Sequence, residues 1–330
     1  MATGSASEPT LYVVTYYAFN HAARQVPIDA RFLKSDRNIV YFLIDKSCPE
    51  PLRDKKVLFE SRVDPLLAEA GKRYFAEWTF LLAEAKHAFC TYPLFTVSSR
   101  FYEKNRWLQT DLNQEWDRLF GHLEQYGWGY LPSYDRPFGW QDLTMYQTRG
   151  LLPVTPPGRT LIQDMFGVGI PDTYHLMSDF FCNYIGFQSR EHLLEYVNFY
   201  KPLIDTLFDE NYVPREDLSR YVESTGTYRN EKPFTFLLEL MSHLFFHNED
   251  RKFLGLHYDG YYEVDERRQR MKLIEAIPFD FSKAQGSPRP GLPRRVLSRA
   301  KRELMWKYGQ LRTRIADVPA APSVRPHLNP

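Results

Sequence analysis

The sequence predicts an α/β fold: a mixed sheet flanked by helices, followed by a C-terminal helical segment and a basic tail helix. Runs rich in β-branched and aromatic residues occur at Leu11–Phe19, Asn38–Asp45 and Tyr92–Ser99. Helical periodicity occupies Asp64–Phe89, between the second and third of these runs. Eighteen residues, Asn20–Arg37, separate the first two runs, which is long enough for the crossover that parallel neighbours require. Strands alternating with helices in this way argue for a sheet with helices packed on it.

Residues 1–10 form a lead without structural signals, and "LYVVTYYAF" opens the sheet. Asn20–Arg37 reads as a loop or short helix, and "NIVYFLID" as the second strand. The next helix starts at Asp64-Pro65 and carries Leu67, Phe75, Trp78, Leu82 and Ala85 at helical spacing, with a break expected near Gly71. "YPLFTVSS" is a short buried strand, and Thr110–Gly127 a capped helix ending at its glycine. Tyr126–Gly158 is rich in Gly, Pro and aromatics and reads as a long loop, the kind that often serves function. Ser189 caps the following helix, in which Pro202 is expected to produce a kink or a restart. The next helix begins at Lys232-Pro233, with Phe236, Leu237, Leu240, Leu244 and Phe245 along one face. No internal repeat is present, so residues 11–281 read as one domain.

From Ser282 the composition changes. Ser287–Arg314 holds nine Arg or Lys against one Glu, leaving the remainder of a chain of net charge +1 at −7. Leu297, Leu304, Tyr308, Leu311 and Ile315 share one helical face there. A basic amphipathic helix at residues 289–315 suits an anionic membrane surface, or equally its own domain. Residues 282–330 are therefore set apart as a tail. Cys48, Cys90 and Cys182 form no CxxC pair, which disfavours a disulfide framework or a cysteine zinc site and fits a cytoplasmic protein, with the tail at the inner face of the membrane. Neither a signal peptide nor a membrane span is expected. Nucleic acid is not an expected partner, because no recognition motif accompanies the basic tail.

Several chemistries are disfavoured by missing motifs. There is no GxxxxGK[ST], no GxSxG, and "FGVGIP" lacks the third glycine and the preceding strand of a dinucleotide site. His243 and His247 stand four apart, but Leu244 occupies the position where a metalloprotease needs Glu, so a core or cleft helix is the favoured reading. His257, Asp259 and Asp265 could add oxygen-rich metal ligands, although a turn at Asp259-Gly260 explains that stretch more simply. In α/β sheets ligands sit beyond the carboxyl ends of strands, which singles out Thr15–Asn20, Asp45–Ser47 and Ser98–Tyr102. Arg100 and Lys104 after one strand, and Arg229 and Lys232 before a helix, are candidates to neutralise a diphosphate.

Four segments, in order, resemble a group of bacterial capsule and lipopolysaccharide glycosyltransferases of GT-A-like fold. "YVVTYYAF" is similar to their first strand, and "YFAEWTFLLAEAKH" to a helix that places Glu77 and Thr79 on a family glutamate and threonine. "CNYIGFQSREHLLEYVNFYKPLI" places Asn183 on a family asparagine, and "FTFLLELMSHLFF" places Glu239 on a family glutamate. The family's His-Tyr-Arg-Arg is here Ser98, Ser99, Arg100, Phe101 and Tyr102, Leu240 replaces an arginine, and no Asp-x-Asp is present. The resemblance implies a nucleotide-sugar donor and a glycan acceptor, with divalent metal dependence left open. Its expected donor-binding residues are Thr15, Tyr16, Glu77, Ser99, Arg100, Asn183 and Lys232. Glu239 and Asp142 are candidate bases, and Trp140 and His243 candidate acceptor contacts, with Trp128 and Tyr130 as further sugar-stacking aromatics. A catalytically inactive glycan-binding or scaffold protein is the alternative, and a metal-dependent hydrolase using His243, His247 and Asp259 a third.

Overall fold

The computed structural model describes residues 8–15, 28–44, 48–70, 74–75, 77–99, 101–105, 111–131, 184–216, 234, 238, 244–248, 250–257, 260–265, 267–268 and 270–278. All of them belong to one unit, Met1–Ala284, and the expected tail helix lies outside the described residues. The described strands are β1 (Thr10–Thr15), β2 (Ile39–Leu43), β3 (Lys56–Phe59), β4 (Leu94–Ser98), β5 (Trp128–Tyr130), β6 (Ile185–Phe187), β7 (Phe253–His257), β8 (Gly260–Asp265) and β9 (Arg270–Ala276). They form one mixed sheet in the order β3-β2-β1-β4-β6-β5-β7-β8-β9. β3, β2, β1 and β4 are parallel, with Val13 opposite Tyr41 on one side and Val97 on the other. β6 runs antiparallel to both β4 and β5, β5 is parallel to β7, and β7, β8 and β9 form an antiparallel meander.

The parallel strands read as unbroken apolar runs because both faces are covered. Tyr12, Val14, Phe42 and Leu94 point into one core, and Leu11, Val13, Tyr41, Phe95 and Val97 into the other. The first core is closed by α3 (Pro65–Ala70), α4 (Trp78–His87) and α7 (Arg190–Leu207), preceded by the short α2 (Glu60–Val63). Phe234, Leu238 and α8 (Leu244–Asn248) also bury apolar side chains in it. The second core is closed by α1 (Ala30–Leu33), α5 (Phe101–Lys104) and α6 (Trp116–Tyr126). The crossover from β4 to β5 thus uses the same face as that from β1 to β2 while travelling the opposite way.

α3 ends at Ala70 and α4 starts at Trp78, and Gly71, near which a break is expected, lies outside the described residues. Asp64 begins α3 by accepting from the Leu67 amide at 3.0 Å. At the end of α4, buried Glu84 accepts from the Phe89 and Cys90 amides at 2.7 and 2.8 Å and from the Tyr92 hydroxyl at 2.9 Å, which locks the path into β4. Gly127 terminates α6 with φ 77°, where a Cβ would meet the His192 ring at 2.4 Å. Ser189 caps α7 as expected.

Pro202 does not restart the helix: α7 runs through it from Arg190 to Leu207. Proline removes one hydrogen bond, and burial of Tyr200, Leu203, Ile204 and Leu207 holds the helix on both sides of it. The C-terminal helical segment is followed, from Phe253 to Ala276, by three strands. The turn reading at Asp259-Gly260 fits the β7–β8 hairpin, which pairs as far as His257 opposite Gly260. β5, inside the expected long loop, is also new. It pairs Gly129 with Gly186 of β6, and the Phe95 ring lies so close that a Cβ on Gly186 would sit 2.4 Å away.

Candidate functional site

The carboxyl ends of the parallel strands form a polar rim. β1 ends at Thr15, whose carbonyl accepts from the Ile44 amide at 3.1 Å, and the Ser99 amide donates to the Val14 carbonyl at 3.0 Å. Thr15, Ser98 and Ser99 are therefore neighbours, and all three are buried. Strand order reverses here, since the chain moves from β1 to β2 and β3 and then returns to the other side of β1 as β4. Such a reversal is where open α/β sheets take their ligands.

Tyr184 completes the group. Its hydroxyl lies 3.0 Å from Ser98 Oγ, it is fully buried, and its ring meets Phe101 edge-on with centroids 5.0 Å apart. Sequence reasoning singled out its neighbour Asn183 and missed Tyr184, whose only signal is an aromatic at the start of the "YIGF" strand. Thr15, Ser98, Ser99 and Tyr184 thus gather neutral hydroxyl-bearing residues at this end of the sheet, all of them buried. Glu77 stands half-buried at the N-cap position of α4 and makes no capping bond. No described bond joins it to the rim. Tyr16, Arg100, Trp140, Asp142, Asn183, Lys232, Glu239 and His243 lie outside the described residues.

Other candidates are reassigned by their surroundings. Tyr130 is buried in the core, its hydroxyl 3.1 Å from that of Tyr196 and its ring edge-on to Phe246 and Phe253, so it presents no face to a sugar. Trp128 donates from Nε1 to the His192 carbonyl at 3.1 Å and packs edge-on to Phe245. Asp265, a suggested metal ligand, instead accepts from the Arg268 amide at 2.9 Å and guanidinium at 2.8 Å. Among the described residues no group of three or more His, Cys, Asp or Glu is arranged to hold a metal ion.

The buried carboxylates Asp64, Glu84 and Glu115 have structural partners. Asp64 receives the Leu67 amide, Lys86 at 2.7 Å and His87 at 2.9 Å. Burial pushes its pKa up, but these bonds outweigh burial and hold the carboxyl below its ordinary value. Glu115 accepts from the Tyr261 hydroxyl at 2.9 Å. The Arg31 guanidinium bonds Asp29 bidentately and lowers its pKa, while lying 3.5 Å over the Tyr102 ring. The Tyr102 hydroxyl donates to Asp111 at 2.8 Å and accepts from the Leu112 amide. Burial pushes the Cys90 thiol well up, which makes it a poor nucleophile. No described helix is long and apolar enough to cross a membrane. No family model, curated protein or solved structure matches the chain.

Proposed function

We propose that the chain is a glycosyltransferase of GT-A-like fold that moves a sugar from a nucleotide-sugar donor to a hydroxyl of a polysaccharide or lipid-linked glycan. The observation that carries this reading is the hydroxyl-lined rim at the β1/β4 reversal of strand order. Thr15, Ser98 and Ser99 suit the ribose and the sugar hydroxyls. Arg100, which follows Ser99 directly, and Lys232 are assigned to the diphosphate, whose negative charge grows as it leaves. Tyr16, Glu77 and Asn183 complete the donor side, and Trp140 and His243 the acceptor side. Glu239 or Asp142 takes the proton of the acceptor hydroxyl as its oxygen bonds to the sugar's anomeric carbon. The bond to the diphosphate breaks and the nucleoside diphosphate departs with the electron pair. Residues 289–315 are assigned to an anionic membrane surface near the acceptor, which co-sedimentation with anionic and neutral vesicles tests.

The primary test is thermal denaturation with a panel of nucleotide sugars and nucleoside diphosphates. At least one is expected to raise the melting temperature, by an amount equivalent to about 2.7 kcal/mol at a hundred times its Kd. No shift with any member of the panel defeats the proposal. Glu239→Gln and Arg100→Ala are expected to abolish turnover with the melting temperature nearly unchanged.

One observation favours the inactive, glycan-binding alternative. In the segment that replaces the family's His-Tyr-Arg-Arg, Phe101 and Tyr102 are buried, and the Tyr102 hydroxyl is committed to Asp111 and Leu112. Binding of glycan or nucleotide without turnover in the presence of acceptor would select that alternative.

A further inference from the structure

Asn105 follows α5, the single turn that leaves the carboxyl end of β4, and it is fully buried. Its backbone N–H and its side-chain Nδ2 both donate to the Phe101 carbonyl at 2.9 Å. The second bond fixes the amide orientation, because a carbonyl must face the NH2 end rather than Oδ1. Oδ1 is left as a pure acceptor, buried and without a hydrogen-bond partner. A buried acceptor in this condition calls for a donor.

Its position distinguishes it from three other buried groups in the same condition. The Tyr41 hydroxyl belongs to the middle of β2, and Trp78 Nε1 to a ring stacked on Tyr196 in the core. Gln188 Oε1 follows β6, whose reversed direction puts that end at the opposite rim. Of these, only Asn105 belongs to the chain leaving the β1/β4 reversal. Phe101, to which its amide is bonded, packs on Tyr184, and Tyr184 meets Ser98 at the rim.

We infer that Asn105 is a specificity-determining residue whose Oδ1 accepts a hydrogen bond from a ring N–H of the donor's nucleobase, of the uracil or guanine kind. The inference rests on the nucleotide-sugar reading of the rim and deepens it. Ribose hydroxyls both donate and accept, and Thr15, Ser98 and Ser99 can answer them. A neutral group that only accepts is suited to a base N–H, and its burial to the enclosed end of a cleft. Cytosine and adenine present a ring nitrogen acceptor at the corresponding edge and would leave Oδ1 unanswered.

Isothermal titration of the full chain with UDP, GDP, CDP and ADP, and with N3-methyl-UDP and N1-methyl-GDP, tests this. UDP or GDP is expected to bind tightest, and its methylated counterpart about tenfold more weakly. In Asn105→Ala the parent and methylated nucleotides should bind alike, with Asn105→Ser taking its place if the alanine variant does not fold. A wild-type chain that binds none of the four overturns the glycosyltransferase reading and this inference together. Preference for CDP or ADP, equal binding of parent and methylated nucleotide, or a variant that keeps the wild-type discrimination overturns this inference alone.

Discussion

The inner parallel strands and the last strand of the meander are built differently. Every residue of β1 is buried, whereas no residue of β9 is, and Leu273 at its centre is 49% exposed. The inner strands β1 and β4 are clamped between two apolar cores. The meander end is lined with ion pairs such as Lys252–Glu263 at 2.7 Å and Arg268–Asp250 at 2.6 Å, which are exposed and contribute little. The difference separates two tasks: the strands that present the candidate site are immobilised by packing, and the strands farthest from it tolerate water.

The sharpest way to break this contrast is Glu84→Ala. It strips partly buried N–H and O–H donors of their acceptor and removes the carboxylate 3.7 Å from Arg190, which keeps only its bond to the Ala85 carbonyl, so a loss of about 3 kcal/mol is expected in chemical denaturation. Gly186→Ala forces a methyl into the Phe95 ring at the junction of the two halves and should cost about 1–3 kcal/mol, seen as a lowered denaturation midpoint with an unchanged slope. Ala88→Gly should act in the opposite direction. Ala88 closes α4 at φ 52°, which glycine adopts without a steric penalty, so a gain of about 0.5–1 kcal/mol is expected.

Smaller effects come from titration and from the exposed strand. Burial holds the His192 pKa below its ordinary value of 6.5, so the unfolded chain takes up that proton first as the pH falls. Its contribution is complete above about pH 6.5 and declines below it, by less than about 1 kcal/mol for a half-exposed ring. Melting curves at pH 7.5 and 5.5 should show the decline, and His192→Gln should reduce it. Leu273→Lys on β9 should change stability by no more than about 0.5 kcal/mol. A larger loss would mean that β9 is packed as tightly as the inner parallel strands.

What the sequence made legible follows the same division. β1, β2 and β4 were readable because burial on both faces leaves uninterrupted β-branched and aromatic runs, and the ends of α3, α6 and α7 because Asp64, Gly127 and Ser189 are local signals. β5 was not, since it is three residues long and centred on a glycine that makes sense only once Phe95 lies across it, and β6, equally short, showed only through the family resemblance of its "NYIGF" stretch. β9 escaped because its Arg, Lys and Glu suppress the apolar alternation that marks a strand. Thr15, Ser98 and Ser99 could be anticipated from the rule that ligands gather at carboxyl ends. Tyr184 and Asn105 could not, because their meaning depends on contacts with residues distant in the chain or on a hydrogen bond that is missing.

The reversed strand β6 has a consequence for how the protein is made. It is wedged between β4 and β5, yet 54 residues separate Tyr130 from Ile185 in the chain. While those residues emerge from the ribosome, β4 carries an unsatisfied backbone edge and β5 has no seat against it. Nascent chains truncated before Ile185 should therefore be the ones that self-associate, and those extended past Phe187 the first to become protease-resistant.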